Sequence, residues 1–489
     1  MASLKSLAKE TAIYGASSII GRFLNYLLVP LYTAKLSAES GGYGVITNMY
    51  SYVALLFVIL TYGMETTFFR FSNKSDENPD TVYSTSLISV GSTSLLFIAI
   101  VMLFLSPVAG FMGYEAHPEY VAIMACCVAI DAFQAIPFAY LRYKKRAIKF
   151  AALKLLFIFL NISLNLLYFV ALPRLYMDYP QFIGKFYNPD FGVGYAFALN
   201  LVCTAFITFF FRRELTGFRY VFDRRLMRRM LSYSLPILLL GIAGILNQTI
   251  DKILFPFLCT ADNASRELGI YGAASKIAMI MAMITQAFRY AYEPFVFSKS
   301  NDKDSKETYS KAMKFFIIFT LLAFLAVIAY LDILKYLIAP DYWSGLQVVA
   351  IVMAAEIMMG IYFNLSFWYK LIDRTMWGAL FSGIGCVVLV AMNVIFVPRY
   401  GYIACAWAGC AGYGTAMLLS YFVGQKKYPI NYPLRSIFGY TLLAAAIYAA
   451  FIAMPHIGLI ADTALKSLGL LLFLAVVIRA EHFHLPHRR

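Results

Sequence analysis

The stretch YGVITNMYSYVALLFVILTYGMETTFF, residues 43–69, decides the fold. It carries one charged side chain, Glu65, before Arg70 ends it. About 20 predominantly apolar residues in a helix cross the hydrocarbon core of a bilayer, so this stretch is long enough to span one. The rest of the chain repeats the pattern. Apolar runs fall at approximately 11–35, 43–69, 81–106, 118–141, 146–171, 190–211, 230–250, 267–293, 310–330, 344–369, 375–397, 401–424, 435–454 and 464–479, fourteen in all. Little of the 489-residue chain remains for a domain on either side. Composition agrees: 61% of residues are apolar and 14% are charged, against about 25% charged in a soluble domain. The expectation is an all-α membrane protein with about 14 transmembrane helices. A secreted fold, a nucleic-acid module and a large extramembrane enzyme are argued against.

The charge distribution tests that segmentation. Lys and Arg number 41 against 26 Asp and Glu, a formal charge of +15. If the runs cross alternately, 30 of the basic residues fall on the side of the two termini and 8 on the other. Arg22, Lys276 and Arg289 lie inside runs. Lys154, near the start of the fifth run, is counted with the terminal side. The asymmetry predicts cytoplasmic termini, and it accounts for the basic excess without nucleic acid. Lys5 and Lys9 precede a run too long for a signal peptide, so that run reads as an uncleaved anchor. Trp343, Trp368 and Trp377 fall at predicted helix ends, where amphipathic rings suit the headgroup zone. The seven Cys show no metal or redox spacing, and His482 and His484 read as a solvated tail. No metal and no cofactor is expected, apart from a possible coupling H+ or Na+.

The chain has an internal echo. Gly41-Gly-Tyr43-Gly44-Val-Ile opens the second run and Gly269-Ile-Tyr271-Gly272-Ala-Ala opens the eighth, 228 residues later. Both are close to the same place in successive halves. The expected organisation is an N-terminal six-helix lobe over residues 1–212, a basic cytoplasmic linker over 213–229, a C-terminal six-helix lobe over 230–424, and two further transmembrane helices with a tail over 425–489. Two parallel repeats around a central cleft can expose that cleft to either side by rocking, which points to transport.

Ionisable residues inside the hydrocarbon need a reason, since each costs roughly 2.5–3.5 kcal/mol on insertion scales. Tyr14, Ser18, Arg22 and Asn25 form one polar stripe on the first run. Arg22 and Asn25 are read as cleft-lining groups for an anionic headgroup, the alternative being an ion pair of Arg22 with Asp131 or Glu356. Lys276 and Arg289 on the eighth run are candidate substrate contacts, although they face one cleft together only if the helix bends. Asp131 and Glu356 sit near the middle of the fourth and tenth runs. They are candidates for carrying a coupling ion or, equally, for balancing Arg22 and Lys276. Glu65 with Arg70, and Asn247 with Asp251, suit gating, with interfacial solvation as the plainer alternative.

These features resemble the multidrug, oligosaccharidyl-lipid and polysaccharide exporter superfamily, specifically its polysaccharide (O-antigen type) flippase branch. The resemblance rests on Arg22, Pro30-Leu-Tyr and Tyr43-Gly44, on Tyr62-Gly63-Met-Glu65-Thr-Thr-Phe-Phe-Arg70, on Leu235-Pro236 with Asn247 and Asp251-Lys252, and on Tyr271-Gly272 with Pro294. It implies a 14-helix, two-lobed fold and translocation of a polyprenyl-diphosphate-linked oligosaccharide from the inner to the outer leaflet of a bacterial inner membrane, for surface polysaccharides such as the O-antigen of lipopolysaccharide. It also implies lipid-linked glycan, membrane lipids and other polysaccharide-assembly proteins as partners. Lipid II flippases of the same superfamily use cations in a central cavity, and Arg22 fits that idea.

Three rival readings remain. A drug exporter of the same superfamily favours an acidic or aromatic cleft, whereas the first run offers Arg22 and no acid there. A membrane enzyme finds little support. Asp302-Lys303-Asp304 lies in a short loop without room for a nucleotide-binding domain, and no P-loop or nucleophile–base arrangement is present. The third rival is a scaffold for polysaccharide enzymes, in which the intramembrane charges are purely structural.

Overall fold

The computed structural model describes residue 24 and residues 26–73, 77–260, 263–298, 304–372, 374–455 and 457–481. Among them every regular element is helical and no strand occurs. Twelve helical stretches are long and apolar enough to cross a membrane. They correspond one for one to the expected second to fifth and seventh to fourteenth runs. The sixth is the shorter apolar helix Gly194–Phe209. Most of the first run lies outside the described residues, and its end forms helix α1, Leu28–Lys35. The protein is thus a multi-pass, all-helical membrane protein, as its apolar runs predict.

The opening stretch is two helices, α2 (Gly42–Thr61) and α3 (Met64–Ser72), joined by a kink. Tyr62 and Gly63 both have left-handed backbone, φ 33° and 70°. Glycine adopts this without penalty, whereas tyrosine does not. The Tyr62 hydroxyl lies 2.7 Å from that of Ser89, which helps to hold the turn. Gly63 is also small enough to admit the next partner helix: a Cβ there would sit 3.0 Å from the Ile237 side chain.

Three further helices, α4 (Pro79–Leu103), α5 (Pro118–Tyr143) and α6 (Ala147–Leu166), follow. Then come α7 (Gly194–Phe209), the short α8 (Arg212–Thr216) and the long α9 (Arg224–Leu258). Their shared core holds Met64, Phe68, Val82, Tyr83, Val128 and Ile136, and the first turns of α9 enter it through Leu226 and Met230. Next are α10 (Ala264–Ser298), α11 (Ser305–Ala329), α12 (Val349–Leu365), α13 (Phe367–Leu371), α14 (Met376–Tyr400), α15 (Tyr402–Lys427), α16 (Leu434–Ala453) and α17 (Leu459–Ala480). The two additional helices α16 and α17 pack on α11: Tyr440, Ile447, Phe451, Phe473 and Val477 share a core with Phe316, Leu321, Leu325 and Ile328.

By contacts the chain forms two compact units. Unit 1 comprises Met1–Phe257 and Ala261–Gly269, and unit 2 comprises Leu258–Thr260 and Ile270–Arg489. Within unit 1, Gly44 of the Tyr43-Gly44 motif lies directly against the start of α10. A Cβ at Gly44 would fall 1.8 Å from the Ser265 carbonyl oxygen, so no larger residue fits without moving backbone.

Candidate functional site

Unit 1 contains a charged cavity of about 370 Å³, lined by Glu65, Asp131, Gln134, Arg142 and Lys154 among Phe57, Phe138, Phe150, Phe157 and Ile207. Helical periodicity puts these groups together. On α5, Asp131, Gln134, Phe138 and Arg142 recur at intervals of three and four residues, which makes one stripe. On α6, Phe150, Lys154 and Phe157 do the same. Glu65 arrives from α3 just beyond the kink at Gly63. The cavity is therefore a meeting of five helices, in which α5 supplies a polar stripe, α3 and α6 one charged side chain each, and α2 and α7 apolar wall at Phe57 and Ile207.

The contacts inside are specific. Arg142 forms an ion pair with Glu65. Its guanidinium also lies 5.1 Å from the centre of the Phe69 ring, an arrangement that favours a cation. The Lys154 ammonium sits 4.1 Å from the centre of the Phe138 ring. Asp131 Oδ1 accepts a hydrogen bond from the Thr204 hydroxyl at 3.3 Å. Gln134 donates to the Thr204 carbonyl at 2.7 Å and to the Thr208 hydroxyl at 2.8 Å. Beyond Thr204 the polar chain continues: Cys127 donates to Asn200 Oδ1 at 3.3 Å, and Asn200 donates to the Tyr50 hydroxyl at 2.6 Å. Two carboxylates and two cations in one pocket can hold a monovalent cation or proton at Asp131, or an anion at Lys154 and Arg142.

Lys154 corrects the sequence count. It lies seven residues inside α6, about 10 Å from its start, and belongs within an apolar helix and not to a loop. The signal was available, since an ionisable residue two turns into an apolar run is the kind that needs a partner. Arg142 and Gln134 were also missed as site residues. Their stripe with Asp131 shows in the spacing once α5 is taken as a single helix.

The other candidates stand as follows. Arg22 and Asn25 lie outside the described residues. Glu65 pairs with Arg142, while the Arg70 guanidinium stacks 4.0 Å from the centre of the Tyr233 ring, so Glu65 and Arg70 do not pair with each other. Asn247 and Asp251 are both buried on α9. Asn247 donates to the Ala243 carbonyl at 2.9 Å, and Asp251 binds Lys252 at 3.0 Å. Asn48 of α2 ties into this turn by donating to the Lys252 carbonyl at 2.8 Å, and it accepts from the Tyr114 hydroxyl at 2.8 Å. In unit 2, Lys276 on α10 and Glu356 on α12 are half-buried, and Arg289 is exposed with its guanidinium 4.7 Å from the centre of the Phe363 ring. Among the described residues, no three His, Cys, Asp or Glu side chains gather where a metal ion could bind.

A family model described as a polysaccharide biosynthesis protein matches residues 7–291, more than half of the chain. The chain belongs to the polysaccharide biosynthesis protein family. The match takes in every residue of the unit 1 cavity. Among solved structures, a lipid II flippase, MurJ, in an inward closed conformation aligns over 96% of this chain and 99% of its own, with a TM-score of 0.74 and 15% identity. An inward-facing multidrug resistance MATE family transporter of the MOP superfamily aligns over 82% and 93%, with a TM-score of 0.64 and 17% identity. A MATE multidrug transporter, DinF-BH, solved as a complex, aligns over 88% and 96%, with a TM-score of 0.59 and 16% identity. At these identities the likeness is one of fold. A search of curated protein sequences finds no match. Family membership and fold together bear out the resemblance to the polysaccharide branch of the exporter superfamily.

Proposed function

We propose that this protein is a flippase that carries a polyprenyl-diphosphate-linked oligosaccharide from the inner to the outer leaflet of a bacterial cytoplasmic membrane by alternating access, with both termini in the cytoplasm. The observation that carries the proposal is the family match over residues 7–291 in a chain with this membrane fold. The chemistry is consistent with it. A diphosphate sugar is anionic and bulky, so its passage needs cations in a hydrated path, whereas its lipid tail can stay in the bilayer. In this proposal the lobes 1–212 and 230–424 rock about the linker 213–229, with 425–489 outside the repeat. Arg22, Asn25, Lys276 and Arg289 meet the phosphates. Asp131 and Glu356 carry a coupling proton or sodium ion, and Glu65, Arg70, Asn247 and Asp251 act at the gates. The protein makes and breaks no covalent bond of its substrate.

The unit 1 cavity adds a detail: Lys154 lines the same cavity as Asp131 and its charge acts on it, so binding of a cation at Asp131 works against Lys154. The test is reconstitution of the full chain in liposomes with a fluorescent polyprenyl-diphosphate sugar, scored by its appearance in the outer leaflet. Arg22→Ala and Lys276→Ala in folded protein should each slow the transfer. Unchanged transfer in both removes those cations from the mechanism. A second reading, export of a cationic drug, is favoured by the multidrug transporters that share the fold. Ion-driven uptake of a cationic dye without any lipid transfer would establish that reading instead.

A further inference from the structure

Unit 1 has a second cavity, on the far side of α5. It measures about 630 Å³ and is lined by α4, α5, α7 and α8. Its walls are hydrocarbon, chiefly Leu95, Ile98, Ile130, Phe133 and Phe209, and it ends at Arg212. No acid lines it. Leu95 and Phe209 at the rim are 70% and 77% exposed, so the groove opens where an apolar helix face meets lipid.

The chemistry of the arginine end is unusual. Residues 212–229 carry two acids, Glu214 and Asp223. Both are already engaged. Glu214 is buried and binds Arg146 at 3.2 Å and Lys149 at 2.6 Å. Asp223 accepts from the backbone N–H groups of Leu226 and Arg225 at 3.0 and 2.8 Å, which holds its carboxyl below the usual carboxylate range. Among the described residues no carboxylate pairs with Arg212. Tyr220, Val221 and Phe222 are exposed between the arginines. An apolar cluster within a basic segment suits the boundary between headgroups and acyl chains.

We infer that this groove binds an anionic phospholipid from the leaflet at the arginine-rich end, with an acyl chain along α4 and α7 and its phosphate on Arg212. A guanidinium fork matches phosphate oxygens, and a basic pocket between membrane helices is a recurrent headgroup site. The groove offers a sugar a single open hydroxyl, Ser94, since Thr216 donates to the Arg212 carbonyl at 2.7 Å. Its hydroxyls are Ser94, Thr208 and Thr216, and Thr208 is taken by Gln134. The occupant is therefore defined by a chain and a phosphate alone, as in a bilayer phospholipid. The inference stands whatever substrate the protein moves.

Native mass spectrometry of the full chain in detergent, titrated with phosphatidylglycerol or phosphatidylcholine, tests it. The expected result is preferential retention of phosphatidylglycerol, reduced about tenfold by Arg212→Gln and largely kept by Arg212→Lys. Ala205→Phe, which fills the groove, should lower retention of both lipids, and Leu95→Trp at the rim serves the same purpose if the first variant unfolds. Arg225→Gln, exposed and away from the groove, should leave retention unchanged. Equal retention of the two lipids by wild type overturns the inference. So does an Arg225→Gln loss as large as that of Arg212→Gln, which would mean only a general basic surface. Displacement of phosphatidylglycerol by an equal concentration of polyprenyl monophosphate also overturns it, and assigns the groove to a substrate tail.

Discussion

Two charged cavities of this molecule differ in where their charges come from. In unit 1, Asp131 lies about 18 Å along α5 from the helix end at Tyr143, and Lys154 lies two turns into α6. In unit 2, a cavity of about 360 Å³ is lined by Asp332, Lys335, Lys466, Trp343 and Gln347. Asp332 and Lys335 belong to the turns after α11, and Lys466 to the second turn of α17. Asp332 accepts from Lys335 at 3.2 Å and from Lys466 at 2.8 Å. The second cluster is thus a fully paired tie, with Asp332 at a helix end between two lysines, although Lys466 lies as far into α17 as Lys154 does into α6. The first sits where charge is costly, and a tie between helices could be made there more cheaply by apolar packing. The contrast is the ground for proposing that the unit 1 cavity has a task beyond holding the fold.

Three measurements sharpen or break that contrast. The largest effect is expected from Lys154→Met and Asp131→Asn, each lowering transport in liposomes about tenfold or more. Lys154 and Asp131 make no direct ion pair, but each single change removes the opposite charge from the cavity they share, so both should also lower the unfolding temperature. The double variant should recover stability but not transport. Recovery of both would make the cavity a structural pair like the one in unit 2. A smaller effect is expected from Glu65→Gln. The Glu65–Arg142 pair is partly exposed, so stability should change by less than about 1 kcal/mol, while transport falls severalfold. Wild-type transport would remove Glu65 from the moving parts.

The smallest effect is expected in unit 2. Lys466→Met should cost roughly 0.2–1 kcal/mol of stability with transport unchanged. The hydrogen bond from Lys466, helped by Lys335, holds the Asp332 carboxyl below its ordinary range. A carboxylate with a depressed native pKa contributes stability above its unfolded value, near 3.9, and loses it as pH falls through the folded one. The stability gap between wild type and Asp332→Asn should therefore be full at neutral pH and close below about pH 4. A transport defect in Lys466→Met would erase the distinction between the two cavities.

The sequence was most legible where one physical requirement acts on many neighbouring residues. Thirteen of the fourteen runs recur as helices because each needs only length and apolarity. The sixth came out shorter than its run because its ends turn into the separate short helices Pro189–Phe191 and Arg212–Thr216. Asp131 was picked out because it stands alone in an apolar run. Lys154 was lost to the loop count because a basic residue near a run boundary also fits the orientation rule. Arg142 was lost in the same way, since its role depends on Glu65, 77 residues away in sequence. Glu65 and Arg70, five residues apart on α3, point about 140° apart around the helix, so one meets Arg142 and the other the Tyr233 ring.

The amino-acid sequence by itself determined that this chain is a bundle of membrane-crossing helices, because burying backbone polar groups in hydrocarbon leaves a long apolar segment little choice but a helix. Its motifs also placed it in the right superfamily. Tertiary structure alone decided which polar stripes meet. Lys154 shares a cavity with Asp131, Arg142 pairs with Glu65, and Arg212 lines one end of a hydrocarbon groove, because each of these depends on how separate helices rotate and approach. Gly44 against the Ser265 carbonyl is the same lesson in steric form: the glycine is visible in the sequence, and what it admits is visible only in the fold.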